Sequence, residues 1–236
     1  MGIVFCATLF AYTFQRLVKF KTGRAFSEDR KEWMKKNMKI VLVLLVISFI
    51  TSIILVFYIS IFQTILLVIT GILSAFYVSY FIRNKNKGLR DIPYVKVYVV
   101  AFVWTILLTI ILLMVSKIDI HAVVPSASTS FFIYILAMAM LFDIKDVHLD
   151  EAETRTIPAI AGIKKTQWIS FALTCSSLCL LVISFQNIFW PAVVQLSASS
   201  IVILLTPSWK KEFYYSLYID GVLLLPGLMC LTASIF

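Results

Sequence analysis

Three aspartates, Asp143, Asp146 and Asp150, stand in the segment FDIKDVHLDEAETRTIPAIAG, residues 142–162. On a continued helix, at about 100° per residue, they fall within roughly 60° of one another. Three carboxylates on one face repel one another unless a cation lies between them. Their hard oxygens suit Mg²⁺, which keeps several waters and binds through one or two carboxylates plus substrate phosphates. Arg155, Lys164 and Lys165 follow closely and carry the charge to meet phosphate oxygens. The chemistry on offer is metal-assisted handling of a phosphate or diphosphate ester. The competing reading is a solvated loop, with Glu151 and Glu153 among its acids, whose charges compensate one another.

Composition says what kind of scaffold holds these residues. The chain is 61% apolar and 14% charged, against roughly 45–50% and 25% in soluble domains. This balance predicts an all-α, polytopic transmembrane bundle. Residues 40–82 form 43 positions without one formal charge. As one helix they would reach about 65 Å, twice a hydrocarbon core of about 30 Å. The run therefore reads as two spans with a turn near 58–63. Residues 168–205 repeat the pattern, with Gln186, Asn187 and Pro191 supplying the turn. Further spans are expected over 95–116, roughly 122–142 and roughly 217–236. With the short apolar run before Arg16, too short to cross alone, about eight apolar segments result. No polar linker divides them, so the whole of 1–236 reads as a single domain.

The net charge of +9 does not point to nucleic acid, because the basic residues lie in short loops between apolar segments. Residues 15–39, 83–96, 143–166 and 206–213 share one side of the predicted spans and hold 20 of the 21 Lys and Arg; Lys117 lies opposite. The positive-inside rule makes that side cytoplasmic. The expectation is a multi-pass protein of an inner or plasma membrane, in contact with membrane lipids, its acidic segment on the cytoplasmic side. The N-terminal apolar run lacks a preceding basic region and does not read as a signal peptide. Cys6, Cys175, Cys179 and Cys230 all lie in apolar runs, with no His or carboxylate at metal-ligand spacing. They read as free, buried thiols.

The pattern D-I-K-D-x-x-x-D followed by T-R-T-I-P and a glycine resembles the second aspartate-rich motif of the UbiA superfamily of intramembrane prenyltransferases. The matching residues are Asp143, Asp146, Asp150, Arg155, Thr156 and Pro158. The resemblance implies a helical bundle of nine spans in which two acidic motifs face each other across a cavity. It implies that Asp143, Asp146 and Asp150 ligate Mg²⁺ and that Arg155 and Lys164 contact the diphosphate of an isoprenyl donor. It further implies transfer of the isoprenyl group to a lipophilic, often aromatic, acceptor. Spans before and after the motif also follow the family's order, although the family's first span has no counterpart.

The first acidic motif departs from the family pattern. The corresponding stretch is A-Y-T-F-Q-R-L-V-K, with Ala11, Tyr12, Gln15 and Lys19 at the positions of the family's Asn and three Asp. Arg16 and Lys19 are the cations left to meet a diphosphate directly; Glu28, Asp29 and Glu32 could return carboxylates from the following loop. An alternative is therefore a non-catalytic UbiA-like protein that binds an isoprenoid or a partner. A transporter using Asp220, a carboxylate about one turn inside the last apolar segment, is a further alternative. Both CDP-alcohol phosphotransfer and soluble prenyl diphosphate synthesis require motifs or solubility that this chain lacks.

Overall fold

The computed structural model describes residues 2–21, 28–78, 95–115, 120–146, 156–185, 189–206 and 212–225. Among these, every regular element is helical: α1 (Gly2–Lys21), α2 (Glu28–Lys36), α3 (Met38–Val56), α4 (Ile61–Val78), α5 (Val95–Val115), α6 (Ile120–Asp146), α7 (Ile157–Ala161), α8 (Ile163–Ser184), α9 (Phe189–Leu205) and α10 (Glu212–Leu223). Four of them contain stretches long and apolar enough to cross a bilayer: Met38–Val56, Val95–Leu113, Val124–Ile144 and Ile163–Ile183. Gly2–Val18, Ile61–Tyr77 and Phe189–Leu205 are shorter apolar helices. The chain is an integral membrane protein of helical architecture. It packs as two compact units, Met1–Arg90 and Asp91–Phe236.

In the first unit α1 packs against α3 and α4. The long uncharged run breaks at residues 57–60, and the chemistry of the break is legible. Ser60 and Gln63 form a reciprocal capping box: the Ser60 N–H donates to Gln63 Oε1 at 3.1 Å, and the Gln63 N–H donates to Ser60 Oγ at 3.3 Å. Two N–H groups at the start of α4 are thereby satisfied without water. Phe10 of α1 packs on Phe49 of α3 with ring centroids 5.1 Å apart. The remaining surface of α3 is apolar and exposed, including Leu42, Val46, Ile50 and Ile54. Apolar side chains on the outside as well as the inside are what lipid contact requires.

The second unit is built around α6, which packs against α5, α7, α8 and α10. At 1.5 Å per residue its 27 residues reach about 40 Å, longer than a hydrocarbon core. Phe131, Tyr134, Ile135, Met138 and Leu141 on this helix are almost completely buried. Apolar packing alone gives helices in lipid little preference for one another, so small residues and hydroxyls supply specific contact. Ser130 Oγ donates to the Ser177 carbonyl at 2.7 Å, and Ser177 Oγ donates to the Ser130 carbonyl at 2.8 Å. This reciprocal pair draws α6 and α8 together. Tyr134 carries the same logic to two further helices, with its hydroxyl 2.9 Å from Ser199 Oγ of α9 and donating to the Val222 carbonyl of α10 at 2.9 Å. Gln167 of α8 donates to the Ile203 carbonyl of α9 at 2.6 Å. Thr105, Thr109 and Thr174 return their hydroxyls to carbonyls one turn back in their own helices, so buried polarity costs little there.

Pro158 sits in the first turn of α7, where its missing N–H is no loss. Gly162 then joins α7 to α8 at φ 82°, ψ 155°, a backbone region essentially confined to glycine. A Cβ there would meet nothing within 4 Å; conformation, not space, selects the glycine. Pro191 lies in the first turn of α9, while Gln186 and Asn187 lie outside the described residues. The cysteines depart from their expected burial. Cys6 and Cys175 are half-buried and Cys179 is exposed, all as free thiols; Cys230 lies outside the described residues. At i, i+4, Cys175 and Cys179 lie along the edge of α8 rather than on its core-facing stripe.

Candidate functional site

Asp143 occupies the last turn of α6, and Asp146 is that helix's final residue. The described helix thus carries the first two acids of the motif. Asp143 is only 2% exposed, and its Oδ1 lies 2.7 Å from the ammonium of Lys96, which is 19% exposed. Distance and charge define this contact as an ion pair. Lys96 is the second residue of α5. Because α5 and α6 run antiparallel in the sequence of spans, the start of one meets the end of the other.

Electrostatics at these helix ends explains the pairing. A carboxylate in the last turn of α6 faces that helix's own negative end, and an ammonium in the first turn of α5 faces a positive one. Each charge opposes the dipole of the helix that carries it. Each is favoured by the end of the helix opposite. The contact therefore stabilises only the docked pair of helices.

The remaining expected site residues are distributed as follows. Lys164 and Lys165 are exposed in the first turn of α8, and α8 packs against α6. Asp150 and Arg155 lie outside the described residues, as does the side chain of Asp146. Thr156 and Pro158 are buried at the start of α7, which packs against both α6 and α8. Ile157 and Ile163 flank this turn and pack on the core that contains Ile144. The T-I-P-x-x-x-G part of the motif thus folds as a one-turn helix and a glycine joint seated on the span that bears Asp143.

Arg16 and Lys19 belong to α1, in the first unit. The Arg16 guanidinium lies 4.6 Å from the centre of the Tyr12 ring, an exposed cation–π contact one turn apart. Gln15 donates to the Ser74 carbonyl of α4 at 3.4 Å. The side chain of Lys19 is outside the described part. At the positions of the family's first acidic motif, then, this chain has a helix-packing amide and a stacked arginine. Asp220 lies on the exposed side of α10, between the buried Ile219 and Val222.

The carboxylates are oxygen donors of the kind a hard divalent ion takes, so the segment fits Mg²⁺ in chemical type. Among the described residues no three His, Cys, Asp or Glu side chains come together as a metal-binding group. Asp143 has an ammonium where a ligand carboxylate would have its metal.

Lys96 is the residue that sequence reasoning missed. It was counted only among the orienting cations of residues 83–96. A lone Lys two residues into an apolar span was the available signal, since such a charge needs a partner. Three other buried polar atoms were also not anticipated. Thr156 Oγ1, Ser170 Oγ and Gln195 Oε1 have no hydrogen-bond partner among the described residues, and such atoms are costly in a low-dielectric interior. Comparison of the chain with family models, curated proteins and solved structures finds no match.

Proposed function

We propose that this is a UbiA-like membrane prenyltransferase, which transfers an isoprenyl group from an isoprenyl diphosphate to a lipophilic, often aromatic, acceptor. The observation that carries the reading is the course of the acidic segment. It begins inside the last turn of a bilayer-length helix and resumes at a Pro-containing turn packed on that helix. It ends at Gly162, from which α8 starts with two exposed lysines. Carboxylates for a cation and lysines for phosphate oxygens thus lie on neighbouring elements of one bundle.

In this reading Asp143, Asp146 and Asp150 hold Mg²⁺, which when bound supplies positive charge to the leaving diphosphate. Arg155 and Lys164 meet the diphosphate oxygens. The apolar spans take the isoprenyl chain and exclude water from the allylic centre. A non-catalytic isoprenoid-binding protein is the second reading, favoured by what occupies the first motif: Gln15 bound to Ser74 and Arg16 stacked on Tyr12.

Thermal unfolding in detergent tests whether a metal–diphosphate ligand binds. An isoprenyl diphosphate should raise the unfolding temperature in the presence of Mg²⁺ and not in EDTA. Ligand at a hundredfold excess over Kd stabilises by about 2.7 kcal/mol. Asp146→Asn with Asp150→Asn should abolish the shift. An equal shift in EDTA would refute metal-mediated binding.

We place the acidic segment on the cytoplasmic face, with the residue 15–39 segment, on the strength of the lysine and arginine asymmetry. Cysteines introduced at Lys36 and Glu153, in a chain whose native cysteines are replaced by serine or alanine, should react with an impermeant maleimide only from that face. Labelling of the two from opposite sides would end this topology.

A further inference from the structure

We propose that Lys96 is a built-in cation for the Asp143 carboxylate, and that a divalent ion arriving without an anion is excluded from this carboxylate by the ammonium. The inference concerns the acidic segment discussed above but rests on the ion pair alone, without prenyl transfer. Its test uses metal with and without inorganic pyrophosphate, and neither an isoprenyl donor nor an acceptor, so its failure and the failure of the functional reading are separable.

Three observations carry it. The ammonium lies 2.7 Å from Oδ1, and Asp143 is 2% exposed, so the carboxylate meets its counter-charge from within the protein. The two charges sit at helix ends that each favours only through the neighbouring helix, so the lysine belongs to the folded arrangement of α5 and α6. Finally, a Lys ammonium is a compact charge on a flexible stem. Water is sparse around a carboxylate this buried, so the repulsion between that charge and a divalent ion is weakly screened.

The scale follows from Coulomb's law. Like charges a few ångströms apart, in a medium of effective dielectric near 20, repel strongly enough to cost roughly a hundredfold or more in affinity. A ligand that brings its own negative charge changes the balance. A diphosphate offers the ammonium a second anionic partner, so Lys96 can turn from Asp143 to a phosphate oxygen as the metal arrives. The carboxylate then becomes available to a metal–anion complex while staying closed to the bare ion. Lys96 thus confers selectivity on the carboxylate, making metal and anion bind together.

The experiment is a Mn²⁺ titration of the full chain in detergent micelles, followed by the electron paramagnetic resonance signal of the free ion. Wild type and Lys96→Arg should take up Mn²⁺ weakly. Lys96→Gln should bind it at least about tenfold more tightly, and Lys96→Gln with Asp143→Asn should lose that gain. Lys96→Met serves as a second neutral variant if the glutamine variant does not fold. Adding inorganic pyrophosphate should promote Mn²⁺ uptake by wild type more than by Lys96→Gln. Two results would overturn the proposal: wild type binding Mn²⁺ as tightly as the neutral variants, or a gain that persists when Asp143 is also replaced. Thermal unfolding of unmodified protein supplies a measurement free of folding defects. Millimolar MnCl₂ alone should leave its midpoint unchanged, and a rise of several degrees would also overturn it.

Discussion

Lys96→Met alone is expected to destabilise the unit of residues 91–236 by about 3–5 kcal/mol, since removing one partner of a buried pair leaves the other charge uncompensated. Asp143 is the deeper partner and has less access to water. Asp143→Leu alone should cost less, about 1–3 kcal/mol, because the Lys96 stem can carry its ammonium toward the interface. The double variant, Lys96→Met with Asp143→Leu, should be more stable than Lys96→Met. An apolar pair of similar volume is often neutral or better than the ions it replaces. Unfolding of all four proteins in mixed micelles measures the coupling. Strictly additive losses, with the double variant the least stable, would show that neither charge depends on the other. The dipole argument adds a further expectation. Exchanging the pair, Lys96→Glu with Asp143→Lys, should recover much of the loss, because each new charge then suits its own helix end.

On the prenyltransferase reading proposed above, the unmodified chain is expected to transfer an isoprenyl group slowly, up to about ten-thousandfold below a variant with its first acidic motif restored. Removing one well-placed group that stabilises developing charge costs roughly 100- to 1,000-fold in rate, and this chain lacks acids at several positions of that motif. Ala11→Asn, Gln15→Asp and Lys19→Asp together return carboxylates to α1. The structural cost of the change falls chiefly at Gln15, whose amide donates to the Ser74 carbonyl at 3.4 Å and whose replacement by aspartate leaves no donor there. Losing so marginal a hydrogen bond costs at most about 1 kcal/mol. Radiolabelled isoprenyl diphosphate and an aromatic acceptor provide the assay, with the restored variant also compared in binding. A restored protein that binds donor no better and turns over no faster would argue against an α1 contribution to the site. Rapid turnover by the unmodified chain would mean that Arg16, Lys19 or the loop acids Glu28, Asp29 and Glu32 already supply that function.

Helical architecture and membrane residence follow from composition because lipid imposes one requirement on every backbone group. Each N–H and C=O must be satisfied within its own segment, so a long apolar run has little choice but to become helix. Length then divides the run at residues 40–82, and Ser60 with Gln63 marks the break to within a few residues. The acidic segment stands out as a sequence, since charges at the end of an apolar run do, and the structure puts the first two of its aspartates in the last turn of α6. Pro158 and Gly162 were visible as punctuation, and the structure turns them into the joint between α7 and α8.

Partnership was decided only by tertiary structure. Lys96 and Asp143 are 47 positions apart in sequence, and the lysine's place just inside an apolar span shows that it needs a partner without showing which. Antiparallel docking of α5 and α6 brings them to 2.7 Å. The same holds for Ser130 with Ser177, because a serine hydroxyl at helical spacing has an equally good partner in its own preceding turn, and for Tyr134 with Ser199 and Val222, which lie far from it in sequence. Hydropathy reports that a residue leaves water; it carries no information about which neighbour it meets. In a membrane protein the apolar surface is similar toward lipid and toward protein, so the inward face of each span is fixed by packing and by the few polar pairs that packing permits.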